Sequence, residues 1–286
     1  MNKASLSLTV LALLAFAANS LLCRLALGGE LIDAASFTTV RLVTGAVTLA
    51  LIVAPRWRAH GRAKADWRTV AMLFAYMVFF SFAYLTLSAG TGALILFGAV
   101  QLTMFIVALR SGERFPLLSW AGLALAFLGL VYLVSPGLTA PDPLGAALMA
   151  IAGIAWGCYS LLGRAAADPI EATANNFIHA VPLAIGVSLL YMGRFHGTWE
   201  GFALAAISGA ITSGLGYVIW YAALRNLTAT RAAVVQLAVP AIAACGGVIL
   251  LSEQITLRLL LASAATLGGI WIVLLQRSGR SPQNAS

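Results

Sequence analysis

Acidic side chains are scarce in this chain, and charge of either sign is rare. Only 9 of its 286 residues are Asp or Glu, charged residues make up 9%, and hydrophobic residues make up 61%. A soluble domain carries about 25% charged residues, because water must cover its surface. So low a charged fraction excludes an ordinary soluble protein and indicates that lipid surrounds most of the chain.

Cysteine and histidine are also scarce, with three residues of each. Cys23, Cys158 and Cys245 lie far apart in apolar runs, which predicts buried free thiols and gives neither a disulfide framework nor a metal-binding spacing. We therefore expect no metal and no cofactor. The net charge of +8 suggests basic loops on the cytoplasmic side of a membrane and no nucleic-acid partner, because the chain is so apolar.

Sequence motifs of membrane enzymes are missing as well. The chain has no HExxH, no GxSG, no paired aspartates within an apolar run and no GxxxxGK[ST] for a nucleotide. We predict that the protein is not an enzyme. A membrane-embedded enzyme and a lipid-handling scaffold remain as alternatives, and a scaffold would not need an enclosed polar cavity.

Apolar runs long enough to cross a bilayer occur ten times. A membrane helix needs about 20 mostly apolar residues, and the links between the runs are too short for a separate soluble domain. We predict an all-α integral membrane protein with ten transmembrane helices and a disordered polar tail over 278–286. The predicted spans are residues 5–27, 34–54, 68–88, 91–109, 115–135, 143–163, 172–192, 200–223, 228–250 and 256–275.

Lys and Arg are concentrated on alternate links. If the N-terminus is cytoplasmic, 13 of the 17 basic residues lie inside, because only Arg24, Arg194 and Arg258 lie outside and Arg41 lies within a span. Basic residues are retained on the cytoplasmic side of membrane proteins. The sequence therefore predicts a multi-pass protein of the inner membrane with both termini in the cytoplasm.

The chain repeats itself at half its length. SLLCR at 20–24 returns as SLLGR at 160–164, an offset of 140. Three more matches follow at offsets of 140 or 139: Phe37 with Phe177, Glu113 with Glu253, and LGLVYLV at 128–134 with LGGIWIV at 267–273. Each half has five spans, and an odd number makes the second half enter from the opposite side. We predict an inverted-topology repeat of residues 1–138 and 139–277, with a substrate site near mid-membrane between the halves.

Two alternatives to this interpretation are open. Apolar halves can resemble each other by composition alone, although composition does not explain matched charged positions at one offset. The first span can also be interpreted as a signal peptide, since AFA at 15–17 is similar to a cleavage site. That run is long for a signal core, and its removal would delete the first copy of the repeat.

The second half carries a recognisable pattern. It reads YAAL at 221–224, then Ala229, Ala232, Val235 and Pro240, and then Glu253 leading to Gly268 and Gly269. By these residues, and by ten spans in two halves, the chain resembles the drug/metabolite transporter superfamily, EamA type, over its whole length. The N-terminal half also resembles the amino-acid exporters of that superfamily. Pro240 has no proline partner in the first half, where GAVQLTM stands at 98–104, so a hinge at Pro240 would bend one half only.

The resemblance implies a secondary transporter working by alternating access. It implies export of small metabolites across the inner membrane, with amino acids, aromatic or other neutral ones, as the leading class. Export or import of drugs, nucleosides or sugars is the alternative. The expected partners are the small-molecule substrate and the bilayer, and we expect a monomer.

Two embedded polar residues are candidates for transport. Arg41 lies about 10 Å below the outer end of its span at 1.5 Å per residue, where it can attract a substrate carboxylate or shape the outer vestibule; the alternative is that it snorkels to the interface. His179 can carry a proton or bind substrate, or it can be a neutral histidine bonded to a neighbouring helix. No Asp or Glu lies deep in a predicted span, so we expect uncoupled transport or exchange, with coupling through His179 as the alternative.

Amides, hydroxyls and aromatic rings of several spans form the predicted cavity. Such a set offers ring faces to apolar groups and hydrogen bonds to polar ones, although any single ring can simply be packing. The remaining predicted cavity residues are Asn19, Ser20, Tyr76, Tyr84, Gln101, Trp156, Tyr159, Tyr217, Trp220, Tyr221 and Gln236.

Arg24 and Arg164 are related by the repeat offset and lie at opposite ends of the predicted bundle. We predict that they pair with acidic residues in one conformation only; the alternative is that both anchor the chain at the interfaces. SGAITSGLG at 208–216 is rich in small residues and allows helices to pack closely or to move.

Overall fold

The computed structural model describes residues 3–62, 64–113, 115–163, 166–225, 227 and 229–278. These residues are helical apart from short links and an isolated bridge between Ile32 and Gly197. The helices are α1 (Lys3–Gly28), α2 (Ala34–His60), α3 (Trp67–Ala83), α4 (Ala89–Arg110), α5 (Leu117–Val134), α6 (Pro143–Gly163), α7 (Pro169–Leu190), a 3-10 turn (Met192–Arg194), α8 (Trp199–Ile207), the π-helix (Ser208–Leu215), α9 (Gly216–Leu224), α10 (Ala229–Gln236), α11 (Ala238–Leu251) and α12 (Leu257–Ser278).

The number of apolar helices agrees with an integral membrane protein. Within the described residues, nine helical stretches are long and apolar enough to cross a bilayer, and Trp67–Ala83 is a tenth, shorter apolar helix. The outer surface carries many exposed apolar side chains, such as Leu51, Leu117 and Trp199. An apolar outer surface of this extent is stable only against lipid. The predicted all-α membrane architecture is confirmed.

Several helices begin where polar side chains supply caps. Asp33 accepts a hydrogen bond from the backbone N–H of Ser36 at the start of α2, and Asp168 accepts from Ile170 and Glu171 at the start of α7. Such caps satisfy the free N–H groups of a first helical turn. These caps therefore fix the direction in which the chain enters α2 and α7.

Four predicted spans differ from the observed helices. The second span was expected to end at residue 54, but α2 continues through Pro55 to His60. The third span was expected to reach residue 88, but α3 ends at Ala83, and Ser88 then caps a new helix by accepting from the N–H of Thr91. The eighth span is continuous with a π-helix in its centre. The ninth span is broken at Leu237, between α10 and α11.

The π-helix packs closely on α2, and the break at Leu237 has a local cause. Gly209 lies against the carbonyl of Arg41 and the hydroxyl of Thr44, and a Cβ there would clash with both. Pro240 lacks an N–H, and its ring clashes with the carbonyl four residues earlier, that of Gln236, where α10 ends. The predicted hinge residue therefore follows an observed break, and α4 has no such break.

The helices pack in recurring pairs. α5 packs along α12, α2 along α7, α3 and α4 against α6, and α9 and α11 against α1. Gly122, Gly129 and Gly269 bring the backbones of α5 and α12 together, since a Cβ at any of them would meet the opposite helix. Because α1 packs into the bundle on several sides, it is an integral part of the fold.

Some predictions about single residues need correction, and others concern residues outside the described ranges. All three cysteines are free, and Cys23 is buried, but Cys158 is only partly buried and Cys245 is exposed. The prediction of buried thiols was wrong for Cys245, because an apolar run in a membrane bundle has an outward face as well as an inward one. Arg164 and residues 279–286 of the predicted tail lie outside the described residues.

Candidate substrate site

A small cavity lies at the centre of the bundle, between α1, α2, α3, α4, α6, the π-helix and α9. Its volume is about 20 Å³, close to the space that a single water molecule needs. Six of the thirteen predicted cavity residues line it, namely Asn19, Ser20, Arg41, Tyr76, Trp156 and Tyr217, together with Phe16, Phe80, Leu96, Phe97, Thr212 and Ser213. The structure thus brings part of the predicted set together around a small central cavity.

Arg41 is the charged group of this centre. It is 0% exposed, so it does not snorkel to the outer interface. Its Nε donates to Ser213 Oγ at 3.1 Å, its Nη2 donates to Tyr76 Oη at 3.1 Å, and its guanidinium lies 4.9 Å from the ring centroid of Phe80. Both oxygen partners are neutral, and Nη1 has no hydrogen-bond partner.

The π-helix contributes hydroxyl groups that we had not predicted. Ser208 Oγ donates to Asn19 Oδ1 at 2.8 Å, and Ser213 Oγ accepts from Arg41. Thr212 Oγ1 donates to the Ser208 carbonyl at 2.8 Å and lies 3.3 Å from Asn19 Oδ1. Positions four and five apart share one face of a π-helix, because its hydrogen bonds join residues five apart. The signal in the sequence was three hydroxyl residues in SGAITSGLG, a stretch that we interpreted by its glycines alone.

Aromatic rings form a continuous wall around the centre. Trp156 packs on Tyr76, Tyr217 and Tyr159, with ring centroids 4.8, 5.2 and 5.4 Å away. Phe16 packs on the other side of Tyr217 at 6.2 Å. Ring pairs at such distances attract each other by about 0.5–1.5 kcal/mol beyond their burial, and the hydroxyls of Tyr76 and Tyr159 add hydrogen bonds to Arg41 and Thr173.

A larger cavity adjoins this wall on one side. Its volume is about 630 Å³, and Trp156 and Tyr217 line both this vestibule and the central cavity. It also contains four more predicted residues, Tyr159, Trp220, Tyr221 and Gln236, and at its mouth Arg56, Asp168 and Arg225. Two rings therefore separate the vestibule from the centre.

Three predicted residues lie elsewhere. Gln101 lines a separate cavity of about 450 Å³ with Leu123 of α5 and Leu274 of α12. Tyr84 is buried at the end of α3, where its hydroxyl donates to the Ala89 carbonyl at 3.3 Å. His179 Nδ1 is 2.8 Å from the Asn175 carbonyl oxygen, and its ring packs edge-on against Trp67. None of the three lines the central cavity or the vestibule.

The face of the bundle that carries the links 29–33, 84–88, 135–142, 191–198 and 252–256 is here called the Glu253 face. Arg24 Nε donates to Glu253 Oε1 at 3.2 Å, and Arg24 Nη1 donates to the carbonyls of Tyr84 and Leu85 at 3.3 Å. The N–H of Ala89, at the start of α4, donates to Glu253 Oε2 at 2.9 Å. One ion pair thus joins α1, the α3–α4 link and the α11–α12 link.

The opposite face carries the links 61–66, 111–116, 164–168 and 225–228 and is called the Asp168 face. Arg56 forms an ion pair with Asp168, and Trp57 Nε1 donates to Glu171 Oε1 at 3.1 Å. These contacts join α2 to α7, and the vestibule reaches this face, where Arg56, Asp168 and Arg225 line it. An apolar bundle with an enclosed polar cavity and one open side has the architecture of a membrane transporter.

Comparisons with known proteins agree with this class. Residues 143–275 match the EamA-like transporter family. A protein of Pseudomonas aeruginosa, described as Uncharacterized protein PA1977, is 47% identical and covers 100% of this chain and 99% of its own. A protein of Archaeoglobus fulgidus described as an uncharacterized transporter is 28% identical over 75% of this chain and 81% of its own.

A solved crystal structure has a similar fold. It covers 96% of this chain and 98% of its own with a TM-score of 0.67 and 18% identity. The chain belongs to the EamA-like transporter family, within the drug/metabolite transporter superfamily, and is a multi-pass membrane transporter. The expected EamA resemblance is therefore confirmed at the level of the family.

Proposed function

We propose that the chain exports small metabolites, with aromatic or other neutral amino acids as the leading class, by alternating access through the central cavity. The observation that carries the proposal is the position of that cavity. Two rings separate it from an open vestibule on one face, while an ion pair ties the links of the other face. The amino-acid class rests on the resemblance of the N-terminal half to amino-acid exporters.

Helix packing supports an inverted repeat of residues 1–138 and 139–277. α3 and α4 pack on α6, while the corresponding segments of the second half, α8–α9 and α11, pack on α1. α2 with α7 and α5 with α12 form pairs between equivalent helices. Phe16 and Trp156, which are 140 positions apart, both pack on Tyr217. Two such halves can exchange inward-like and outward-like shapes.

The distribution of basic residues supports an orientation. The Asp168 face carries most of the Lys and Arg, and basic links stay in the cytoplasm. We therefore propose an inner-membrane protein with both termini cytoplasmic and the vestibule open to the cytoplasm. An exporter in this conformation is ready to load its substrate.

The residues of the central cavity support uncoupled transport or exchange. Its lining contains no Asp or Glu among the described residues, and His179 does not line it. A proton relay through intramembrane carboxylates, common in pumps, has no participant at this site.

The test is uptake of labelled amino acids into liposomes that contain the purified protein, with empty liposomes as the control. Aromatic, aliphatic and cationic amino acids are compared with and without a pH gradient. Saturable flux that ignores the gradient is the expected result. Flux that follows the gradient would contradict uncoupled transport and make His179→Gln the first variant. If no amino acid is carried, the amino-acid assignment fails, and drugs, nucleosides and sugars come next.

A further inference from the structure

Two buried polar atoms at the central cavity lack hydrogen-bond partners. They are Arg41 Nη1 and Tyr217 Oη, and both residues line the same small cavity. Buried polar groups in proteins are nearly always paired, and each exception calls for an explanation. Two unpaired donors that meet at one cavity suggest a ligand.

The charge of Arg41 is uncompensated as well as buried. Its hydrogen bonds go to the neutral oxygens of Ser213 and Tyr76, and its remaining contacts are with ring faces. Neither ion pair of the described residues includes it. A guanidinium has five N–H donors and no acceptor, and an unpaired charge within a membrane protein is costly. An anion at Nη1 would remove that cost.

We propose that Arg41 Nη1 and Tyr217 Oη bind the carboxylate of the substrate, and that the site recognises small monocarboxylates with an apolar or aromatic body. This inference rests on the proposed function and specifies its substrate class. The planar fork of a guanidinium matches a carboxylate.

The amine of an amino acid has no comparable partner at the centre. The carboxylate of the vestibule lining is that of Asp168, which lies at the mouth in an ion pair with Arg56. Asn19 Oδ1 already accepts from Ser208, and Thr212 Oγ1 lies 3.3 Å from it. The charge balance of the site therefore favours a substrate that presents a carboxylate, and an α-amino group is not required.

The cavity of about 20 Å³ is too small for any such molecule. The substrate body must therefore extend past Trp156 and Tyr217 into the vestibule of about 630 Å³, among the rings of Tyr159 and Trp220. The carboxylate reaches Arg41 when the two rings between the cavities rotate apart. Binding would then open the partition and pair the buried charge in one step.

The test compares three molecules that share a phenylethyl skeleton: L-phenylalanine, 3-phenylpropionate, which lacks the amine, and phenethylamine, which lacks the carboxylate. Each is titrated into the purified full chain, and the melting temperature is followed. We expect both carboxylates to stabilise the protein, with affinities within about tenfold of each other, and the amine to have no effect. The inference would be overturned if phenethylamine stabilised the protein as strongly as 3-phenylpropionate does. It would also be overturned if neither carboxylate stabilised the protein.

Arg41→Met separates binding from structure. Replacing a buried ion pair by apolar side chains of similar volume is often neutral or stabilising, and Arg41 has no charged partner that its removal would leave unpaired. We expect the ligand-free melting temperature to stay the same or rise, and carboxylate affinity to fall at least about tenfold. Arg194→Met, which removes an exposed charge outside both cavities, is the control and should bind as the wild type does. Unchanged affinity in Arg41→Met would overturn the proposal.

Two milder variants keep the test informative if Arg41→Met fails to fold. Arg41→Lys retains the charge but loses the fork, so we expect folded protein with weaker binding. Tyr217→Phe removes only the unpaired hydroxyl, and it should retain stability while losing affinity severalfold. Wild-type affinity in both would contradict the inference. If these binding tests fail but amino-acid flux is seen in liposomes, the proposed function stands and only the carboxylate site is contradicted. Absence of all flux counts against both the proposed function and the carboxylate site.

Discussion

The two faces of the bundle differ in what lies between the central cavity and water. On the Glu253 face, one carboxylate accepts from a guanidinium and from the start of α4, so backbone and charge hold three parts of the chain together. On the Asp168 face, the vestibule reaches inward to Trp156 and Tyr217, and only ring packing separates it from the centre.

This difference matches the physical demands of the two positions. An ion pair that is partly buried, with side chains 25% and 14% exposed, resists salt and holds a defined geometry. The contacts of Trp156 and Tyr217 at the partition are ring packing, and the Tyr217 hydroxyl has no hydrogen-bond partner, so these rings can rotate without breaking an ion pair. The Asp168 side of the centre is therefore the easier one to open in this conformation. Variants at each face test that conclusion, and a reporter cysteine measures how often each face opens.

The reporter is Ser20→Cys, because Ser20 lines the central cavity and is 1% exposed. It is placed in a chain whose three native cysteines are replaced by alanine. Its reaction with a thiol reagent that does not cross the membrane is timed from each face, in right-side-out and inside-out vesicles. The rate from each side reports how often that side opens.

The largest effect is expected from Trp156→Ala. The change removes ring contacts with Tyr76, Tyr159 and Tyr217, each worth about 0.5–1.5 kcal/mol. Labelling of the reporter from the Asp168 face should rise about tenfold or more, with little change from the Glu253 face. Trp156→Phe retains a ring and should show a much smaller rise. Equal rises from both faces would contradict a partition made by these rings.

A smaller effect on the opposite face is expected from Glu253→Gln. The amide can still accept from the Ala89 N–H, but the attraction to Arg24 and to the start of α4 is lost. A loss of about 1 kcal/mol should raise labelling from the Glu253 face about fivefold. Glu113→Gln, the matched change at the repeat offset, should leave that rate unchanged. If both variants have the same effect, the ion pair does not close this face.

The smallest effect is expected from Arg56→Ala. Its ion pair with Asp168 is exposed, with side chains 44% and 35% accessible, and exposed pairs contribute about 0–1 kcal/mol. We expect the melting temperature and both labelling rates to match those of Arg58→Ala, which removes a neighbouring charge. A large fall in stability, or a large rise in labelling, would show that the Asp168 face is also held by charge.

The predicted cavity set was recovered only in part, and the reason is geometric. Ten of the thirteen residues line the central cavity or the vestibule, but Gln101, Tyr84 and His179 do not. A polar residue in an apolar run is identified easily, yet the run is apolar on all sides and gives no period that fixes which neighbour it faces. Gln101 accordingly turned out to face α5 and α12.

Composition and spacing in the sequence determined the all-helical membrane architecture and the approximate helix bounds, because a bilayer demands long apolar helices whatever their neighbours are. The family was indicated by the resemblance of the second half to EamA-like transporters. Only the tertiary structure decided that α3 stops at Ala83, that span 8 contains a π-helix and that Arg41 is buried without an acidic partner. These features depend on contacts between residues such as Arg41 and Ser213, which are 172 positions apart. Local sequence carries no record of such distant contacts, because they form only when the helices pack.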